Sequence, residues 1–271
     1  MKIGSLLLPE GPLILFLSIL VALGSVRCLV KDTSPVERLI YLVVVFGLVV
    51  ARLIFVLSYL PAYQATGLFG VLDIRDRGFD LTAGAIAGGG LLAWWLFRKR
   101  ALRKPLLVAA AAGVVTWSTA TVGASIMAPV ATLPAMLLAD SVGNAQPLAR
   151  GDGKPMVVNL WATWCPPCRA EMPALAAAQK AHPELNVVFV NQAEPPEVVQ
   201  AFLEDHDVRI QNLMYDARLS LARATGVKGY PTTLFYDAEG RLVSTHIGGF
   251  SRATFEDAIR RAYPSRTKEK S

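Results

Sequence analysis

The sequence has 271 residues, 53% of them hydrophobic, and a formal net charge of +6. This length suits two domains, and the two halves differ: the chain is mostly apolar before about residue 138, whereas all three histidines and most acidic residues follow it. The basic excess is concentrated beside apolar runs, as in residues 98–104, which indicates membrane topology and predicts no nucleic-acid partner. Three cysteines exclude a structural disulfide framework beyond one pair.

Four apolar segments in the first half are long enough to cross a bilayer. We interpret them as a transmembrane helical domain over residues 1–130. The alternative for the first segment is a cleavable signal peptide, but its basic start is only Lys2 and no small-residue cleavage site follows cleanly, which favours an uncleaved helix. The segments are 11–27, 38–60, 81–97 and 105–127.

Basic residues in the short loops predict the orientation of these helices. Arg27, Lys31 and Arg38 lie between the first two segments, and residues 98–104 lie between the last two. Such residues accumulate on the cytoplasmic side of a membrane. We therefore expect a multi-pass protein of the cytoplasmic (inner) membrane whose C-terminal domain faces the periplasm, a compartment in which disulfides form.

The C-terminal half has the pattern of an α/β domain. Residues 131–147 carry proline, glycine and small residues and predict a linker. Over residues 148–271, short apolar runs alternate with helical patterns. The predicted strands are 156–160, 187–190, 233–236 and 242–246, and the predicted helices are 167–181, 195–206, 217–224 and 251–262.

Cys165 and Cys168 form a C-x-x-C pair directly after a predicted strand and at the start of a predicted helix. Unpaired N–H groups and the helix dipole stabilise a thiolate there, so Cys165 is the expected nucleophile. Cys168, one turn further, is placed to resolve a mixed disulfide. The alternative is half of a zinc site, but no second Cys/His pair follows at the required spacing, so neither a metal nor a cofactor is expected.

The residues around this pair resemble a known family. Residues 158–173 (VNLWATWCPPCRAEMP) are similar to the active-site stretch of TlpA/ResA-like periplasmic thioredoxins, and residues 226–233 (GVKGYPTT) resemble that family's cis-proline loop. The resemblance covers about residues 148–263 and implies a thioredoxin-like fold that acts on protein disulfides. It also implies that Pro231 is cis and that Tyr230 offers backbone groups to a substrate. The residues alone indicate only a turn.

Two more residues near the cysteines are candidates for the site. Glu171 lies three residues after Cys168 and matches a family position at which a carboxylate tunes the cysteine pair. A carboxylate beside thiols raises their pKa and can shuttle protons. The alternative is an exposed helix glutamate without a role. Trp164 is expected to shield Cys165 and to contact the substrate, without being catalytic itself.

Part of the membrane half resembles a second family. Residues 44–95, most clearly 51–63 and 78–89, are similar to the early part of prolipoprotein diacylglyceryl transferases. This chain has Thr82 at the position of that family's catalytic histidine and lacks its later spans, so we expect binding of membrane lipid or a partner rather than lipid transfer. Arg52 is the candidate residue, because a charge within a span is costly. The alternative is that it snorkels to the outer boundary.

The expected function is a thiol-disulfide oxidoreductase that reduces disulfides of exported proteins. Cys28 has no second thiol near it in the membrane half, which predicts a separate membrane electron donor. The alternative is a lipid- or partner-binding membrane module with a redox-sensing thioredoxin domain. The motif does not define the direction of electron flow. The resemblance implies a reducing role, with cytochrome c maturation as one candidate process.

Overall fold

Two separate units divide the chain between residues 128 and 129. A computed structural model describes residues 10–28, 30, 32–64, 71–127, 131–149 and 151–264. Lys31 and the domain boundary expected at residue 130 therefore lie outside the described residues.

The first unit is helical. Helix α1 packs against α5, and α2 packs against α4. The Asp80 side chain caps α4 by accepting a hydrogen bond from the Ala83 N–H over 3.0 Å, which satisfies one of the free donors at a helix start. The helices are α1 (Glu10–Arg27), α2 (Ser34–Ser58), α3 (Leu60–Gln64), α4 (Leu81–Arg98) and α5 (Arg103–Met127), with 3₁₀ turns at Ile74–Asp76 and Arg100–Leu102.

Helices α2 and α4 approach each other through glycines. A Cβ atom added to Gly84 would lie 2.8 Å from the Gly47 carbonyl oxygen and 2.9 Å from the Ala51 Cβ. One added to Gly88 would lie 3.4 Å from the Val43 carbonyl oxygen. The Gly84 and Gly88 pair, spaced as G-x-x-x-G, thus serves close packing of two helix backbones.

Two helices in the described part of the chain are long and apolar enough to cross a membrane, judged by length and composition. They are Ser34–Ser58 and Arg100–Ala124, and Leu13–Arg27 forms a shorter apolar helix. The expectation of four spans stays a prediction.

The second unit is built on a seven-stranded sheet in the order β2-β1-β5-β4-β3-β6-β7. Strands β3, β4 and β5 are parallel, whereas β6 and β7 continue the sheet in antiparallel fashion on the other side of β3. The strands are β1 (Leu137–Ala139), β2 (Ala145–Pro147), β3 (Met156–Trp161), β4 (Asn186–Gln192), β5 (Leu213–Asp216), β6 (Thr232–Tyr236) and β7 (Leu242–Ile247). The helices are α6 (Pro166–Ala181), α7 (Pro196–Asp205), α8 (Ser220–Thr225) and α9 (Arg252–Ala262).

The segment expected to be a linker contains strands β1 and β2. Leu242 N donates to the Ala131 carbonyl oxygen over 2.8 Å, beside β7, and β1 then pairs with β5 on the other side of the sheet. Residues 131–139, here called the N-terminal strap, thus run from one side of the sheet to the other. Leu138 is buried with the core of the second unit, and this apolar contact holds the segment against the sheet.

Strand β3 is buried along its whole length, as expected for a central strand covered on both faces. Val158 and Leu160 pack into the apolar cluster on one face, and Val157 and Trp161 into the cluster on the other. The second face also carries Asn159 between Val157 and Trp161, since side chains alternate along a strand. The next residues of the chain form the loop that leads to α6, so a rigid central strand fixes the start of the cysteine motif.

Candidate active site

The cysteine pair lies where β3 passes into α6. Cys165 is the N-cap residue of α6, and its sulfur accepts a hydrogen bond from the Cys168 N–H over 3.3 Å. Pro166 and Pro167 occupy the first turn, where a missing N–H costs little. The two cysteines are joined in a disulfide, with Cα atoms 5.3 Å apart. A thiolate at Cys165 would therefore lie at the positive end of the helix dipole.

The two sulfur-bearing residues differ in access. Cys165 is 4% exposed, whereas Cys168 is fully buried. Cys165 is therefore the more accessible of the two residues, and Cys168 is enclosed by the protein. This asymmetry is the geometry needed for one nucleophilic and one resolving thiol.

Glu171, one helical turn after Cys168, is buried with 1% of its surface exposed, which excludes the exposed alternative. Its Oε1 accepts a hydrogen bond from Asn159 Nδ2 over 2.9 Å, and its Oε2 accepts one from Phe250 N over 2.8 Å. Burial raises the pKa of Glu171 from 4.5 to about 7, although both hydrogen bonds oppose the shift. The carboxyl group is thus poised to exchange a proton near neutral pH.

Asn159 also donates to Thr233 Oγ1, over 3.0 Å. A Cβ atom added to Gly249 would lie 3.4 Å from the Pro167 carbonyl oxygen and 3.9 Å from Glu171 Oε2. The loop before α9 therefore lies against the first turn of α6 and closes the site from that side. The sequence did not indicate Asn159 as part of this network, because its partners are distant along the chain.

The cis-proline loop lies beside the cysteine loop. The Tyr230-Pro231 peptide bond is cis, as the family resemblance implies. Thr232, the next residue, pairs with Leu160 near the end of β3, and Gly248 N donates to the Pro231 carbonyl oxygen over 2.9 Å. The ends of β3 and β6 thus place this loop at the same edge of the sheet as the start of α6.

Two aromatic rings link the cysteine loop to the cis-proline loop. The rings of Trp164 and Tyr230 are in edge-to-face contact, with centroids 6.0 Å apart, and Trp164 is 65% exposed. Tyr230 Oη donates to Gln192 Oε1 over 3.3 Å. Trp164 therefore presents an open aromatic surface next to Cys165 rather than a closed cover over it.

A further acidic residue, Glu194, contacts the cysteine loop and was missed by the sequence analysis. Its carboxylate accepts hydrogen bonds from Thr163 N and Thr163 Oγ1 over 2.7 and 2.5 Å, and from Asn191 Nδ2 over 2.7 Å. A usable signal existed, because Glu194 lies shortly after the predicted buried strand 187–190. The carboxyl ends of neighbouring parallel strands meet at one edge.

Arg52 lies in the first unit, in helix α2, and its guanidinium is engaged within that unit. It pairs with Asp76 Oδ1 over 2.9 Å, and it donates to the carbonyl oxygens of Gly78 and Asp73 over 2.8 and 2.9 Å. Tyr63 Oη donates to the other oxygen of Asp76 over 2.7 Å. These contacts hold the loop before α4 against α2, and they provide the partner that a buried charge requires.

The fold and the paired cysteines at a helix start define the class of thiol-disulfide oxidoreductases. Residues 124–259 match the redoxin family model, and the chain belongs to this family. It is 30% identical to the thiol-disulfide oxidoreductase ResA of Halalkalibacterium halodurans, over 45% of this chain and 69% of that protein. It is 35% identical to the thioredoxin-like protein YneN of Bacillus subtilis, over 43% of this chain and 70% of that protein.

Among solved structures, the chain is similar to a thioredoxin-family thiol:disulfide interchange protein from Chlorobium tepidum. That match has 28% identity and a TM-score of 0.44 and covers 50% of this chain and 97% of the other. The redoxin match, the named relatives and the cysteine pair together identify the chain as an enzyme, a thiol-disulfide oxidoreductase.

Proposed function

We propose that this enzyme reduces disulfides of exported proteins at the outer face of the cytoplasmic membrane by a dithiol mechanism. The observation that carries the proposal is the placement of Cys165 at the N-cap of α6, with Cys168 buried one turn further. This arrangement stabilises one thiolate and keeps the second thiol close to it. TlpA/ResA-like sequence features and relatives with named thiol-disulfide oxidoreductase activity support the same chemistry.

The exchange proceeds in two balanced steps. The Cys165 thiolate attacks one sulfur of the substrate disulfide, forming a mixed disulfide and releasing the other substrate sulfur as a thiolate. Cys168 then loses its proton and attacks the Cys165 sulfur, which releases the second substrate thiolate and closes the Cys165–Cys168 disulfide. Two electrons pass to the substrate, whose two thiolates take up protons. The enzyme ends in the oxidised form that the structure has.

Glu171 is proposed to accept the proton that Cys168 loses. The carboxylate lies one helical turn after Cys168, and burial raises its pKa to about 7, so it can take up a proton near neutral pH. Asn159 and the Phe250 N–H hold the carboxylate in place. Trp164, Tyr230 and Pro231 are proposed to form the surface that binds the substrate backbone next to Cys165.

The proposed topology has four membrane spans, formed by α1, α2, α4 and α5. The basic residues at the turn between α4 and α5, among them Arg98, Arg100 and Arg103, support a cytoplasmic position for that turn. An even number of crossings then places the second unit outside. A phosphatase reporter fused after residue 264 should be active, and the same reporter inserted at residue 100 should be inactive. The reverse pattern would refute the topology.

Regeneration requires two electrons from outside this chain. The first unit contains one cysteine, Cys28, and a relay between dithiols needs two. We therefore propose that a separate membrane protein reduces the Cys165–Cys168 disulfide. A Cys168→Ser variant should accumulate mixed disulfides through Cys165, and mass spectrometry of these adducts would identify both substrates and donor.

The reduction potential of the second unit tests the direction of electron flow. A fragment of residues 131–271 keeps the N-terminal strap and can be equilibrated in glutathione or dithiothreitol buffers, with free thiols trapped. A potential near or below about −270 mV, the value for thioredoxin, would support a reductase. A potential near about −120 mV, the value for DsbA, would make the enzyme an oxidant and overturn the proposed direction.

A second candidate function is binding of a membrane lipid or partner by the first unit. A cavity of about 320 Å³ lies among α1, α2, α4 and α5, and among its lining side chains only Ser18 and Trp117 carry a polar atom. Such a lining suits an acyl chain, whereas Arg52 is already paired with Asp76. If this is the main role, a strain carrying Cys165→Ser and Cys168→Ser together keeps its phenotype. Loss of the phenotype supports the oxidoreductase role.

A further inference from the structure

Glu194 connects the cysteine loop to the neighbouring strand. The residue follows β4 by two positions, and its carboxylate accepts all three of the hydrogen bonds described above from Thr163 and Asn191. Thr163 directly precedes Trp164 and Cys165 in the chain. Glu194, which comes from a different part of the sequence, therefore holds Thr163, and Trp164 and Cys165 follow Thr163 directly in the chain.

The backbone around Glu194 is shaped for this contact. Strand β4 is parallel to β3, and Asn191 pairs with Trp161 at the ends of the two strands. Ala193 then adopts a left-handed conformation with φ 59°, which is uncommon for a residue with a side chain. Its N–H is held by the Asp216 carbonyl oxygen over 3.1 Å. This turn brings the chain back toward the cysteine loop at the point where Glu194 follows.

The hydrogen bonds to Glu194 are shorter than the backbone hydrogen bond within the cysteine loop. Within the loop itself, Cys165 N donates to the Ala162 carbonyl oxygen over 3.3 Å. The hydrogen bonds from Thr163 N and Thr163 Oγ1 to Glu194 are shorter, at 2.7 and 2.5 Å, and they tie the loop to the end of the neighbouring strand. The loop between β3 and α6 is thus held by Glu194 from outside as well as by its own backbone.

We propose that Glu194 is a positioning residue for disulfide exchange. By holding Thr163, it sets the ring of Trp164 against Tyr230 and sets Cys165 at the N-cap of α6. It does not touch the reacting sulfur atoms. Its removal therefore lowers the reactivity of Cys165 and the use of protein substrates, because a displacement of about 1 Å can cost on the order of 100-fold in rate.

The variants Glu194→Gln and Glu194→Ala distinguish a positioning role of this side chain from an effect of its charge. In Glu194→Gln, the amide oxygen can accept from Thr163 N and Asn191, and the amide nitrogen can donate to Thr163 Oγ1, since a hydroxyl both donates and accepts. In Glu194→Ala, all three contacts are lost. Glu197→Ala is the matched control, because Glu197 is an exposed carboxylate in the first turn of α7.

The test uses the reduced full-length protein in detergent and measures alkylation of Cys165 by iodoacetamide against pH, in a Cys168→Ser background. This readout needs no physiological substrate, so it stands apart from the proposed direction of electron flow. We expect Glu194→Ala to lower the plateau rate by about tenfold or more and to shift the thiol pKa. Glu194→Gln should stay within about twofold of the parent, and Glu197→Ala should match it.

Two results would overturn the proposal. In one, Glu194→Ala lowers only the melting temperature and leaves the alkylation profile unchanged. In the other, Glu194→Gln fails as badly as Glu194→Ala, which would assign the effect to charge. If Glu194→Ala does not fold, Thr163→Val and Thr163→Ser replace it. Only the valine variant loses the hydroxyl contact, so it alone should lower the rate.

Discussion

Asn159 on β3 donates a hydrogen bond to Glu171 on α6 over 2.9 Å, and both side chains are almost fully buried. The central strand thus holds the carboxyl group one turn after the cysteine pair. Burial raises the pKa of Glu171 from 4.5 to about 7. Between these two pH values the carboxyl group is therefore protonated in the folded state and ionised in the unfolded chain. Stability should fall as pH rises from about 4.5 to about 7.

Glu171→Gln should remove this dependence. The shift corresponds to about 3 kcal/mol at pH 7 and above, so the glutamine variant should be more stable than the parent there and nearly equal to it at pH 4. Urea unfolding of the oxidised fragment 131–271 at several pH values measures the difference. A variant whose stability follows the same pH curve as the parent would show that another group is responsible.

His182 should contribute a second, separate pH dependence. Its Nε2 lies 2.8 Å from Glu256 and its Nδ1 2.9 Å from Glu184, and the hydrogen bond to Glu256, with Glu184 adding to it, raises the pKa of His182 above 6.5. A group whose pKa is higher in the folded protein than in the unfolded chain stabilises the fold fully at pH values below its unfolded pKa. This stabilisation is lost as the pH rises through its folded pKa.

We therefore expect His182→Gln to cost on the order of 1 kcal/mol at pH 6 and clearly less at pH 9. The single variants Glu256→Gln and Glu184→Gln provide the controls. Of the two, Glu256→Gln should lose more of its free energy of unfolding. Equal losses at both pH values for His182→Gln would count against an ionic contribution.

Trp164→Ala should weaken the use of protein disulfides more than that of small disulfides. The ring is largely exposed and touches Tyr230, so its loss removes part of the proposed substrate surface with little effect on the fold. We expect about a tenfold fall in kcat/KM for a protein disulfide, equivalent to about 1.4 kcal/mol. Oxidised glutathione and Trp164→Phe serve as comparisons, and an equal loss with both substrates would contradict a binding role.

Gly84→Ala should destabilise the first unit, and Gly89→Ala should not. A Cβ atom at Gly84 would overlap the Gly47 carbonyl oxygen and the Ala51 side chain, whereas nothing lies within 4 Å of one at Gly89. Overpacking typically costs about 1–3 kcal/mol, and alanine is otherwise the better helix former by about 1 kcal/mol. Thermal unfolding in detergent should show a lower melting temperature for the first variant alone.

Breaking the buried pair of Arg52 and Asp76 should also destabilise the first unit. Removing one partner leaves an uncompensated charge, which costs about 3–5 kcal/mol in a buried site. Asp76→Asn should therefore lower the melting temperature strongly, and Arg52→Lys should do so as well, since an ammonium cannot reproduce the forked contacts. If both variants keep the parental melting temperature but lose bound lipid, Arg52 serves binding instead of structure.

The sequence predicted those features that depend on local patterns. The apolar run of β3 and the C-x-x-C at the helix start were visible, because burial on both faces and N-cap chemistry leave local signals. Strands β1, β2 and β5 were missed, since they have only three or four residues each, and β1 and β5 also pair with partners distant in the chain. Glu194 was missed for the same reason, because Thr163 lies 31 positions away.

The N-terminal strap has a consequence for how each new copy of the enzyme matures. Its partners, β5 and β7, come after the cysteine pair in the chain, and pairings between distant residues form slowly because long loops must close first. In the proposed topology, Cys165 and Cys168 reach the outer face before the strands that complete the sheet. We therefore expect each new molecule to pass through a stage in which its own two thiols can react with other disulfides, before folding buries Cys168.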